Sequence, residues 1–164
     1  QVGNPLTLAA ADISALAYSP DGSQLAVGTR DLLAPTIQVF DTESFSPLTG
    51  TFTGHENWII DLQYLDDTTL ASASHDQTIR LWTLPSGESL RLLGHLREVT
   101  GIGYTGDGEL LSVSEDRRII QWELALEEWI ARACVIANRS LSADEWRQFM
   151  GDTPYRPTCP EPPR

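Results

Sequence analysis

The chain of 164 residues contains no lysine; all 11 of its basic residues are Arg, set against 23 Asp and Glu. Without a lysine amine it forms no Schiff base, supplies no P-loop lysine and builds no Ser-x-x-Lys nucleophile pair. A formal charge of −12 opposes binding to a phosphate backbone, since that affinity comes largely from Lys and Arg displacing counterions. Nucleic acid is therefore not an expected partner. Long apolar runs are also missing: none approaches the roughly 20 residues that cross a bilayer as a helix, so no membrane partner is expected. The opening QVGNPLTLAA lacks a charged n-region and a long apolar stretch, and a cytoplasmic location is the expectation.

Cysteine and histidine are scarce. Cys134 and Cys159 stand 25 residues apart with no Cys-x-x-Cys partner, and with only 3 His they leave zinc no ligand set. There is no Gly-x-Ser-x-Gly elbow. GIGYTGDG has spaced glycines but falls on a strand and a hairpin turn with no helix start behind it, which excludes a dinucleotide fingerprint. No cofactor, no metal and no catalytic residue is expected.

What the chain does have is a period. GHENWIIDLQYLDDTTLASASHDQTIRLW (54–82) aligns without a gap on GHLREVTGIGYTGDGELLSVSEDRRIIQW (94–122), placing His55 on His95, Asp76 on Asp116 and Trp82 on Trp122, 40 residues apart. A period near forty, opened by Gly-His and closed by Trp, resembles the WD-repeat β-propeller family. The fold class this implies is all-β: a partial propeller of three four-stranded antiparallel blades, about 4–53, 54–93 and 94–124. Alternating, β-rich runs separated by Gly, Pro, Asp and Ser turns supply the strands. The last blade has no visible fourth strand, and NPLTLA reads as the outer strand of a preceding blade, so the piece is expected to begin in mid-propeller. Three blades close no ring, and open edges invite more of the same polypeptide or self-association.

The resemblance implies a hydrogen-bonded clamp in each full blade: His55, Asp76 and Trp82 with Ser72 or Ser74, and His95, Asp116 and Trp122 with Ser112 or Ser114. In the first repeat the ungapped alignment sets Ala10 at the His position and Phe40 at the Trp position, and the turn after Asp31 gains LLA. That blade is expected to hold by apolar packing, with the longer turn available for recognition. His, Asp and Ser in one network invite a hydrolase reading, but repetition in successive blades and the indole donor favour structure.

By the same resemblance, partner-binding positions fall shortly after Gly-His and just before the turn Asp: Trp58, Ile60, His75, Glu98, Thr100 and Glu115, with Arg30, Ile13 and Ala15 carried over to the first blade. The acidity belongs to the repeats, where residues 1–128 carry 19 acids and 6 Arg. Either solubility or a docking face for a basic partner accounts for it.

After Trp122 the alternation gives way to helical spacing at Leu126, Trp129, Ile130, Ala133, Cys134 and Ile136. Ser142 and Glu145 form a capping box for a second helix, so a helical hairpin is expected over 125–150 before a Pro-rich tail. WIARACVIANRSLSADEWRQFMGDTPYRPTC resembles the ending of bacterial multidomain proteins in which WD repeats follow a STAND-type NTPase, a caspase-like protease or another effector. This resemblance implies a non-catalytic interaction scaffold, a ligand-sensing or regulatory part whose partners are a protein ligand or upstream domains. The alternative is a purely structural segment that closes and caps a ring. Cys134 and Cys159 are expected to be reduced thiols, with a bonded pair left open.

Overall fold

The computed structural model describes residues 12–31, 33–105, 108–124 and 142. The chain divides into two compact units, Gln1–Trp122 and Glu123–Arg164. Three antiparallel sheets are built from the first, its last strand ending at the boundary. The first sheet takes β1 (Asp12–Tyr18), β2 (Gln24–Arg30), β3 (Thr36–Asp41) and β4 (Phe52–Thr53) in sequence order. The second repeats that order with β5 (Ile59–Asp66), β6 (Thr69–Ser74), β7 (Ile79–Thr83) and β8 (Glu88–Leu92). The third has β9 (Val99–Tyr104), β10 (Glu109–Ser114) and β11 (Ile119–Glu123).

The third sheet has three strands among the described residues, and the segment that follows them lies outside those residues. One expectation changes here. The fourth strand expected for the first blade is reduced to Phe52–Thr53 plus one bridge from Phe40 to Pro47. Pro47 has no N–H to give to a ladder, and the returning segment is longer than the β3 stretch it faces, so its middle bulges away. The expected helical hairpin, the Cys134–Cys159 question and the Ala10 position lie outside the described residues.

Short turns fix the registers. Between β1 and β2, Asp21 Oδ1 accepts from Ser19 Oγ at 2.6 Å and Ser23 N at 2.9 Å, and Gly22 takes the left-handed φ of 76°. After β6 and β10 the left-handed position is held by Gln77 (φ 72°) and Arg117 (φ 66°), again 40 residues apart. That conformation is costly for a side-chain-bearing residue. The Asp one residue earlier offsets the cost by accepting the amide one residue later, Thr78 or Arg118, each at 2.9 Å.

Alternation along the strands then decides where the core lies. Ala15, Ala26, Ile37, Val39 and Phe52 of the first sheet pack against Ile59, Leu62, Tyr64, Leu70, Trp82 and Leu84 of the second. Phe52 stacks on Trp82 with centroids 5.7 Å apart. Polar ties cross both joints: Ser14 Oγ donates to the Ile59 carbonyl, and Ile102 N donates to Asp61 Oδ2 at 3.0 Å. The same positions meet different fates in successive sheets. Ile59, Leu62 and Tyr64 are 1%, 4% and 2% exposed, whereas Ile13, Leu16 and Tyr18 at the equivalent places in β1 are 49%, 59% and 62% exposed.

Candidate functional site

Each full repeat contains one polar chain, built alike. Trp82 Nε1 donates to Ser72 Oγ at 2.8 Å, Ser72 Oγ lies 2.6 Å from His55 Nε2, and His55 Nδ1 lies 2.7 Å from Asp76 Oδ2. Forty residues on, Trp122, Ser112, His95 and Asp116 repeat these contacts at 2.8, 2.7 and 2.9 Å. Indole N–H only donates and a carboxylate only accepts. Trp therefore donates to Ser and His Nδ1–H donates to Asp, and every member of the chain has a partner.

The carboxylates are further held by backbone. Burial raises the Asp76 carboxyl, but hydrogen bonds from His55, Thr78 and the Glu56 amide, with the attraction of His55, hold it well below the ordinary range. In Asp116 burial is likewise outweighed by the Leu96 amide, His95 and the Arg118 amide, which bring it down to about 2. Thr78 adds a hydroxyl donor to Asp76 at 2.6 Å that Arg118 does not offer Asp116.

The sequence left two serines open in each repeat, and the structure separates them. Ser72 and Ser112 are the clamp members. Ser74 and Ser114 do not join the His–Trp chain; each bonds the strand entry instead, Ser74 Oγ to Asn57 O at 2.9 Å and Ser114 Oγ to Arg97 O at 3.1 Å. Each also accepts the amide of the clamp Asp, Asp76 N at 3.0 Å and Asp116 N at 3.1 Å. The arrangement has the residue types of a hydrolytic triad without its access. Ser72 is 0% exposed and its oxygen is occupied by the indole donor, so no carbonyl can reach it.

The first sheet solves the same space differently. By register, Phe40 opposite Leu25 stands where Trp82 stands opposite Leu70, and Val27 takes the place of Ser72. Leu25, Val27 and Phe40 form a buried apolar cluster of their own. Thr29, at the Ser74 position, turns to Thr36 and accepts its amide at 2.9 Å. With Val27 and Phe40 in place of Ser and Trp, no buried side-chain polar atom among the described residues of the first sheet lacks a partner.

The proposed partner positions collect at one rim. In the second sheet His75 N donates to Trp58 O at 3.0 Å and the two rings lie 5.5 Å apart. From the first sheet, the Arg30 guanidinium sits 5.3 Å over the Trp58 ring. Arg30, Trp58 and His75 thus form one cluster across two sheets, with Trp58 and His75 half-buried and Arg30 exposed. Glu98 and Glu115 occupy the equivalent rim pair of the third sheet, joined by Glu115 N to Glu98 O at 3.0 Å. Ile60 and Thr100 sit at bulges in β5 and β9, Ile60 half-buried and Thr100 exposed.

Ala15 is corrected: it is core, packed beside Gly28 and Ile59. The turn from Tyr18 to Leu25 is one residue longer than that from Tyr64 to Leu70. Counting back at constant offset therefore slips by one, and Ser14 and Ile13 stand where Ile60 and Ile59 stand. Leu33 was not singled out by the sequence. Asp31 Oδ1 accepts Leu33 N at 2.8 Å and Ala34 N at 3.3 Å, and Leu33, three residues after Arg30, is 96% exposed. The signal was the LLA insertion. Among the described residues no group of three or more His, Cys, Asp or Glu is placed to hold a metal, and no helix is long and apolar enough to cross a membrane.

Sheets in strand order, each pinned by a Trp–Ser–His–Asp chain or its apolar substitute, define a WD-repeat architecture. The family profile described as WD domain, G-beta repeat matches residues 5–32, 46–83 and 87–123, and the chain belongs to that family. Among curated relatives it is 32% identical over 108 residues to the E3 ubiquitin-protein ligase COP1 of Pisum sativum, covering 65% of this chain and 16% of that protein. It is 33% identical over 111 residues to DDB1- and CUL4-associated factor 10 of Xenopus tropicalis, covering 66% and 24%, and 38% identical over 78 residues to Coronin-7 of Bos taurus, covering 45% and 8%. The chain thus spans a quarter or less of these relatives. WD-repeat domains generally mediate protein–protein interaction and are typically non-catalytic.

Proposed function

We propose that this chain is a non-catalytic protein-interaction module that docks a protein ligand through the rim carrying Arg30, Trp58 and His75. It serves as the sensing or regulatory part of a larger bacterial cytoplasmic protein whose upstream region is a STAND-type NTPase or another effector. One observation carries the docking reading: a half-buried Trp in contact with both a cation from the first sheet and a second ring. Trp and Arg anchors of this kind concentrate binding energy in protein interfaces. Peptides selected from a random display library on the intact chain should lose about tenfold or more affinity on Trp58→Ala and on His75→Ala, the scale of an anchor truncation. Binders indifferent to both substitutions would sink the rim as the docking site.

The structural alternative, a segment that closes and caps a ring, rests on the apolar faces. Ile13, Leu16 and Tyr18 on the first sheet and Val113 and Ile119 on the third are exposed. Their repeat equivalents in the second sheet, Ile59, Leu62 and Tyr64 on one side and Ala73 and Ile79 on the other, are buried. Such faces suit a further blade or a second copy. Sedimentation of the chain and of Tyr18→Glu separates the readings: association abolished by the substitution favours ring closure, and a monomer with peptide affinity favours recognition.

A further inference from the structure

This inference rests on the rim reading and concerns what the rim selects. Arg30 is the sole Lys or Arg among residues 1–79. Among the described residues no ion pair engages it, although Asp12 lies opposite it in the β1–β2 ladder. The next cation, Arg80, is already committed, donating through its two terminal nitrogens to Ser89 Oγ at 2.9 Å and Gly54 O at 2.8 Å. Arg30 instead has its Cζ 5.3 Å from the centroid of the Trp58 ring, a cation–π contact that uses none of its N–H groups as hydrogen-bond donors to a described residue. Leu33, three residues on, is held out by the Asp31 turn and is almost wholly exposed.

We propose that this corner recognises a short linear peptide bearing a single carboxylate side chain next to an apolar one. The carboxylate takes the Arg30 edge, and the apolar side chain packs on Trp58 and Leu33. The acidity of the chain, −12 overall, sharpens the choice. A run of acids is repelled by the surrounding field, whereas one carboxylate pinned by Arg30 in an otherwise neutral segment meets little of that penalty. His75, its ring 5.5 Å from that of Trp58, packs against the indole on which both contacts depend.

Fluorescein-labelled pools of peptides of about nine residues, neutral apart from a central Asp-x-Leu, Asn-x-Leu or Arg-x-Leu, test this on the intact chain. The Asp pool should bind about fivefold tighter than the Asn pool, the scale of a well-formed exposed ion pair, and tighter than the Arg pool. Arg30→Glu should reverse the preference, and Arg30→Lys should lose most of it because an ammonium neither stacks nor forks. Equal binding of Asp and Asn pools with Trp58→Ala still harmful overturns the carboxylate and leaves the rim. Binding indifferent to Trp58→Ala overturns both, and tighter binding of the Arg pool overturns the proposal in favour of an acidic docking face.

Discussion

At the scale of single residues, the decisive contrast is Ser72 against Val27, one position in two repeats. Ser72→Ala removes the shared oxygen and strands both the Trp82 N–H and His55 Nε2. At about 1 to 3 kcal/mol for each orphaned group, a loss of about 2 to 6 kcal/mol is expected by denaturant unfolding. Val27→Ser should also destabilise, by about 1 to 3 kcal/mol, because Leu25 and Phe40 offer its hydroxyl no partner. A harmless result for either would mean the two solutions are interchangeable.

Asp76 and Asp116 give the clamp a pH dependence with a definite sign. Both carboxyls titrate lower in the folded chain than the ordinary value, Asp116 at about 2. A depressed folded pKa contributes stability that is fully present above about pH 4 and is lost as pH falls towards 2. The melting temperature should fall across that window, and Asp116→Asn should flatten part of the fall while lowering stability at neutral pH.

Among elements, the joint between the first two sheets depends on Gly28. A Cβ there would stand 2.8 Å from Ile59 Cγ2 and 3.3 Å from Leu62 Cδ1, inside the packed core. Gly28→Ala should cost about 1 to 3 kcal/mol by overpacking, visible as a lower unfolding midpoint. The equivalent residue, Ala73, is fully buried and already carries that methyl, so the restriction belongs to this joint rather than to the repeat.

The strands of the second and third sheets were legible because alternation and a fixed period agree. The serine choice was not: Ser72 and Ser74 are two apart on one strand and share a face, so only register against β7 distinguishes them. The slip in β1 has a similar origin. An extra turn residue between Tyr18 and Leu25 is invisible to an ungapped count. The short outer strand of the first sheet reflects Pro47, which a pattern of β-formers does not weigh against a ladder.

On the scale of the described sheets, stability and recognition sit in different places. The His, Ser and Trp of each clamp are buried, while the rim they position carries Arg30, Leu33, Trp58 and His75 at half or full exposure. The most direct measurement sets His55→Ala beside Trp58→Ala, recording melting temperature and affinity for display-selected peptides on each. The account predicts that His55→Ala lowers the melting temperature by several degrees or more, about the shift for 1 to 3 kcal/mol. Trp58→Ala should melt within a few degrees of the parent and lose most of its binding. A Trp58→Ala chain that binds like the parent, or a His55→Ala chain that melts like it, would contradict the account.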